Sequence, residues 1–320
     1  MTNSRTMLSR VADSLYWMSR YLERAEHIAR MVDVYANLKL ETDAESTQQR
    51  IKLLYCLGLE EAFIHETDED EALFYITLDT QNPTSIITSV ASARENARQV
   101  REQISSEMWT QLNTLYLQLQ EAQVNEQWAA TPHNFYLEVR SGSHLFQGIT
   151  DATMNHDQGW HFIQLGRYVE RALNLVDLLD VHLHNTLMED QQRTLQRYFE
   201  YVGTLKSVSA FEAYCKVYNP NLRPAQIAEF LLFNREFPRS ARFCVDQILV
   251  SLHALADATS HNRNERLYRI AGRLQSLLSF DEVQDIDDFH LYLMNIKQQI
   301  YRIHDTLYKT FINYAIDTAL

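Results

Sequence analysis

Two stretches of the sequence hold charged residues at a spacing that a helix would bring together. Arg20-Tyr-Leu-Glu-Arg-Ala25 places Arg20, Glu23, Arg24 and His27 within two turns. Arg167-Tyr-Val-Glu-Arg-Ala172 does the same for Arg167, Glu170, Arg171 and Asn174. Taken singly, each is an intrahelical ion-pair ladder worth a few tenths of a kcal/mol per pair. Taken together, with both copies turned toward one axis, they bring two Glu and two Arg to one place. Such a network is costly unless fully paired. It either fixes the packing or grips an anion through bidentate arginine contacts. In an enzymatic reading, Glu23 or Glu170 is the candidate general base, Arg24, Arg94, Arg98 or Arg171 holds a carboxylate or phosphate, and Arg20 is a further substrate-binding candidate. An arginine neighbour lowers a carboxyl pKa, away from the range a base wants.

A second charged run is Ser92-Ala-Arg-Glu-Asn-Ala-Arg-Gln-Val-Arg-Glu-Gln-Ile104. Its Arg94, Arg98 and Arg101 share one helix face, flanked by Glu95 and Glu102. This face is either solvated and self-paired, or an anion site, or a docking surface for an acidic partner. Two helix starts, Asn82-Pro-Thr-Ser85 and Phe237-Pro-Arg-Ser240, combine capping residues with free backbone amides, which also suit anions. They add Arg239 and Ser240 to the candidates.

The chemistry that is missing narrows the field. No Glu stands three residues before a His, as a di-metal helical bundle requires. HExxH, a P-loop, GxGxxG and GxSxG are also absent from the sequence. No metal and no cofactor is implied. Cys56, Cys215 and Cys244 are odd in number, widely spaced and set among apolar residues, so they read as core thiols in a reducing compartment.

The elements that must position these residues are helices. Only 7 Gly and 5 Pro occur in 320 residues, against an average of about 12% for the two together. Strand-rich folds need the turns that these residues make. The remaining class is all-α. The net charge of −13 argues against nucleic acid and anionic lipid as partners. Neither an apolar leader segment nor an 18-residue apolar run occurs, so a cytoplasmic protein without a membrane span is expected. Apolar steps of three and four predict helices over 8–40, 47–65, 84–126, 134–154, 160–188, 190–217, 224–234, 238–260, 263–280 and 285–318. A short helix is expected to start in the acidic stretch 66–71, and Asn82 is expected to cap the 84–126 helix with Pro83 in its first turn.

The halves echo each other. The Arg-Tyr-x-Glu-Arg-Ala motif returns 147 residues on, Asn82-Pro-Thr-Ser85 as Phe237-Pro-Arg-Ser240 at 155, and Phe135-Tyr-Leu137 as Leu291-Tyr-Leu293 at 156. The order and offsets predict a multi-helix bundle of two duplicated units, 1–156 and 157–320, related by a pseudo-two-fold within one domain.

Together these motifs resemble the bacterial alpha-E domain family, which is all-helical and named for its Glu-Arg motif. The resemblance is carried by Met7-Leu-Ser-Arg-Val-Ala-Asp-Ser-Leu-Tyr-Trp-Met-Ser-Arg-Tyr-Leu-Glu-Arg-Ala-Glu26, Asn82-Pro-Thr-Ser85, Ala93-Arg-Glu-Asn-Ala-Arg-Gln-Val-Arg101, Glu107-Met-Trp109, Gly159 to Ala172 and Phe237-Pro-Arg-Ser240. It covers nearly the whole chain. No second RENAR-like run follows Ser240, so a perfectly symmetric site is not expected. The resemblance implies neighbours or fusion partners of two kinds, a circularly permuted ATP-grasp ligase and a transglutaminase-like protein, in a system that makes or modifies a peptide. It adds Asn96 and Glu95 to the motif positions. Three functions are expected in order: an accessory or substrate-binding partner of the ligase, a stand-alone enzyme with a Glu base and an Arg clamp, and an oligomeric scaffold.

Overall fold

Poor in turn formers, the chain builds its core from helix alone: the computed structural model contains no strand among the residues it describes, which are 7, 9–41, 46–124, 131–184, 195–257 and 265–312. Fourteen α-helices occur among them: α1 Ser9–Glu41, α2 Ser46–Cys56, α3 Glu61–Glu66, α4 Glu69–Thr77, α5 Ile86–Gln99, α6 Ser106–Val124, α7 Pro132–Thr153, α8 Gln158–Leu183, α9 Leu195–Ser207, α10 Phe211–Val217, α11 Pro224–Phe233, α12 Ala241–Asp257, α13 Glu265–Phe280 and α14 Phe289–Leu307. The last runs on into a π turn, Tyr308–Ile312.

Two helices organise the rest. α1 has 33 residues without a Gly or Pro, so nothing in its interior interrupts the backbone ladder. Its apolar stripe, Leu15, Met18, Leu22, Ala25 and Ala29, is buried. So are Ser19, Glu23, Glu26, Arg30 and Asp33 beside it. A helix covered on both faces must find partners for its polar groups inside the protein. α8 is buried in the same way from Ile163 to Leu173. α1 packs on α5 and α7, α5 on α6, and α6 on α7. α8 packs on α12 and α14, α12 on α13, and α13 on α14. α1 and α8 pack on each other, and one hydrophobic core runs through both sets. At their crossing a Cβ on Gly166 would stand 2.2 Å from the Tyr16 carbonyl oxygen, so only glycine admits this approach.

The expected 84–126 helix is two helices, broken at Val100–Ser105. Val100 and Ile104 turn inward there, and the Ser105 hydroxyl accepts the Met108 amide at 3.1 Å, capping α6. Asn82 is not the cap of α5. Its Oδ1 takes the Thr84 amide at 2.9 Å in a local turn, and Ser85 caps the helix by accepting the Thr88 amide. The expected 47–65 helix divides at Gly58, whose φ is +69°. The 190–217 helix divides at Val208–Ala210, where Ser209 has a φ of 53°. The expected 238–260 helix begins at Ala241, capped by Ser240. The acidic stretch behaves as expected: Asp68 caps α4, with Glu69, Asp70 and Glu71 in its first turn. Expected helical residues at 8, 125–126, 185–188, 190–194, 258–260, 263–264 and 313–318 lie outside the described residues.

Candidate functional site

The Glu-Arg motifs of α1 and α8 meet, and they meet crosswise. Arg171 of α8 grips Glu23 of α1 with two nitrogens, Nε to Oε1 at 2.7 Å and a terminal nitrogen to Oε2 at 2.9 Å. In return, Arg24 of α1 donates from Nε to Glu170 Oε1 of α8 at 2.7 Å. Arg20 takes the other oxygen of Glu170, also at 2.7 Å. Glu23 and Glu170 are 1% and 3% exposed, so these pairs are internal to the fold.

Other helices complete the network. Arg239, in the turn before α12, donates to Glu23 at 3.3 Å and to Glu26 at 2.9 Å. Gln147 of α7 donates to Glu23 at 3.1 Å. Arg30 binds Glu26 one turn along α1 and also reaches the Ser209 hydroxyl. Further along α1, Asp33 pairs with Arg140 at 2.7 Å and with His133 at 2.6 Å. Near the start of α1, His304 of α14 stands 2.8 Å from the Tyr16 hydroxyl, and Arg20 lies over the Trp17 ring.

The electrostatics follow from burial and neighbours. Burial pushes the Glu23 carboxyl up, but Arg171 and Arg239 together outweigh it and hold the group well below the usual carboxylate range. Glu170 is likewise raised by burial and brought down further by Arg20 and Arg24. Burial and Arg239 push His27 down to about 4, so its ring is neutral at neutral pH. Burial and Arg171 lower Arg239 to about 10. Arg167 is lowered by burial and by Arg171, and its Nε has no hydrogen-bond partner.

The remaining sequence candidates sit elsewhere. Arg94 Nε donates to Asn113 of α6 at 2.8 Å, and its guanidinium lies over Tyr116 and Trp109. Arg101 covers the same Trp109 ring. Asn96 donates to the Ser92 carbonyl of its own helix. Arg98 and Glu95 form an exposed pair. Arg94, Asn96 and Arg98 thus belong to an α5–α6 surface and take no part in the Glu-Arg network. Ser240 is a helix cap, and Arg239 alone of the Pro-Arg-Ser turn enters the network. Sequence reasoning passed over Glu26, Arg30 and Gln147. The first two could have been read from Glu23, Glu26, Arg30 and Asp33, a second stripe of three and four beside the apolar one. No sequence signal marks Gln147, which arrives through the packing of α7.

Among the described residues no group of three or more His, Cys, Asp or Glu could hold a metal ion, and no helix is long and apolar enough to cross a membrane. The fold and the network define an all-helical protein whose two central helices exchange a Glu-Arg motif. The chain belongs to the Alpha-E family, whose model, described as a predicted alpha-helical domain with a conserved ER motif, matches residues 7–312. An uncharacterised protein of Mycobacterium bovis is 25% identical over 279 residues, covering 81% of this chain and 31% of that protein. An uncharacterised protein of Mycobacterium tuberculosis strain H37Rv is 24% identical over the same shares. The chain therefore spans about a third of the length of the curated relatives it matches. No solved structure matches it.

Proposed function

We propose that the protein is an accessory helical module that works beside an ATP-grasp-type amide ligase in making or modifying a peptide. Its Glu-Arg motifs hold the module together, and its outer arginine face meets the partner. The observation that carries this reading is the crosswise burial of Glu23 and Glu170 on Arg171, Arg20 and Arg24. A general base needs a pKa near the working pH and an oxygen that faces substrate. Both carboxyls are held ionised and both of their oxygens are occupied, which weighs against a stand-alone enzyme built on either Glu. The scaffold reading shares the clamp but leaves the Arg94–Trp109–Arg101 surface without a purpose. Arginine and aromatic side chains of this kind dominate binding hot spots. The class of partner comes from the family resemblance, and the greater length of the relatives is compatible with fused modules. Three free cysteines suit a cytoplasmic setting.

We infer too that 1–156 and 157–320 are copies of one helical unit about a pseudo-two-fold. In such an interface, residue i of one unit meets residue j of the other, and the reverse holds. Glu23 with Arg171 and Arg24 with Glu170 are a pair of this kind. At the same 147-residue offset Ser19 matches Gly166, and a Cβ on Gly166 would lie 3.2 Å from that of Ser19. The helix contacts α1–α5–α6–α7 and α8–α12–α13–α14 run in parallel order. Arg167, which lacks the carboxylate that its counterpart Arg20 has, marks where the copies diverge.

Affinity capture of the tagged chain from its native extract tests the accessory role. The wild type is expected to bring down an ATP-grasp ligase, and the Arg94→Ala/Arg101→Ala variant to lose it. Recovery of the chain alone from an extract in which the ligase is detected would overturn the reading.

A further inference from the structure

The central network does not balance its charge. Six guanidiniums, Arg20, Arg24, Arg30, Arg167, Arg171 and Arg239, stand against three carboxylates, Glu23, Glu26 and Glu170. All but Arg24 are buried. Counting the buried groups alone, five of these guanidiniums stand against the three carboxylates, so in a protein with an overall charge of −13 this buried network holds two surplus positive charges. Buried charge persists where something of opposite sign accompanies it.

Two of these arginines, Arg171 and Arg239, line one narrow space. Glu23, His27, Arg171, Asn174, Leu175, Val208 and Arg239 line a gap too narrow to admit a water-sized sphere. Its one carboxylate, Glu23, is already saturated by Arg171, Arg239 and Gln147. Two of its walls are polar groups left without a partner: His27 Nε2, on a residue only 3% exposed, and Asn174 Nδ2. His27 and Asn174 occupy matching places in the two motifs. Two unpartnered nitrogens thus face the space, beside two guanidiniums that already bond Glu23.

One wall adjoins a strained turn. Val208 belongs to the turn between α9 and α10, and the next residue, Ser209, is held at a φ of 53°, the left-handed region that a non-glycine residue rarely adopts. Ser209 is kept there by hydrogen bonds from its amide to the Lys206 carbonyl at 3.0 Å and from Arg30 to its hydroxyl. Strained turns of this kind cluster at ligand clamps and switches.

We propose that this space is the closed form of a site for a small oxyanion, a carboxylate or phosphate group, held by Arg171, Arg239, His27 and Asn174 and gated by the Val208–Ser209 turn. The neutral His27 ring donates from Nε2, the Asn174 amide donates beside it, and the two guanidiniums supply the charge. The site does not depend on the ligase docking proposed above, which the capture experiment decides separately.

The test is a thermal-unfolding titration of the full chain with sodium phosphate and with sodium glutarate, each matched by sodium chloride at equal ionic strength. Ligand bound only by the folded state raises Tm progressively with its concentration. A rise with phosphate assigns the site to phosphate groups, and a rise with glutarate assigns it to carboxylates. Asn174→Leu removes a half-buried donor without changing charge, and it should demand at least ten times more anion for the same shift. His27→Phe should do likewise. No rise beyond chloride with either anion, or an unchanged response in Asn174→Leu, would overturn the proposal.

Discussion

At Glu23 one carboxylate holds three other side chains, Arg171, Arg239 and Gln147. Replacing it with Gln keeps its shape and removes the charge that Arg171 and Arg239 share. Removing one partner of a buried ion pair leaves the other unpaired, at a cost of about 3–5 kcal/mol. Glu23→Gln should therefore shift the urea midpoint strongly, while Arg98→Ala, on the exposed α5 pair, should leave it where it is. Equal effects of the two changes would contradict the clamp. The same residues set the response to acid. Glu23 and Glu170 bind protons less readily folded than unfolded, so their contribution is full above the ordinary carboxylate pKa and is lost as pH falls through the lowered folded values. The histidines act at higher pH. Burial, with Arg239 at His27, Arg30 at His144 and Lys52 at His182, pushes them down to about 4, about 4 and about 3. Unfolded, each takes a proton near ~6.5. Between about 6.5 and 4 the unfolded chain holds more protons, so stability falls as pH drops through that window. Urea midpoints across it should decline steadily for wild type and more shallowly for His27→Gln. A flat wild-type profile would show that these rings are free to ionise in the fold.

At the level of single helices, the close approach of α1 and α8 rests on Gly166. Gly166→Ala drives a methyl into the Tyr16 carbonyl, and backbone on both sides has little room to yield. A cost at or above about 1–3 kcal/mol is expected, as for other overpacked cores. Calorimetry should show it as a lowered Tm. The control is Gly148→Ala on α7, where a Cβ meets nothing within 4 Å and alanine favours helix. The helices themselves were legible because their evidence is local. α1 announces itself through its three-four stripe, and Asp68 with three acids after it reads as a start. The breaks were less legible. Val100–Ser105 has no Gly or Pro to mark it, and its stop comes from two inward side chains and a serine cap that only tertiary packing selects. The motif could be seen to repeat, but which Glu would meet which Arg could not. That pairing depends on the angle at which two helices cross, and a single glycine at the contact sets how closely they do so. Arg94 and Arg98 looked equally eligible for the site, because spacing along one helix does not say which face turns outward.

For the molecule as a whole, the crosswise pairs make each half the other's solvent shield. Separated from 157–320, the segment 1–156 would expose Glu23, Glu26 and Arg30 without Arg171 and Arg239, along with the α1 surface that α8 covers. Helices whose inner faces have no partner are marginal in water however strong their sequence pattern. The segment 1–156 alone is therefore expected to show reduced helicity and no cooperative melt, and 157–320 likewise. Co-expressed, the two should purify together and melt as one transition, since the interface contains every contact that the intact chain uses between them. Salt should weaken their association only slightly, because the ion pairs that join them are buried from screening. Circular dichroism and co-purification decide the matter. A cooperative melt of 1–156 by itself would mean that the Glu-Arg exchange ties together two units already stable apart, and that the core is two cores in contact.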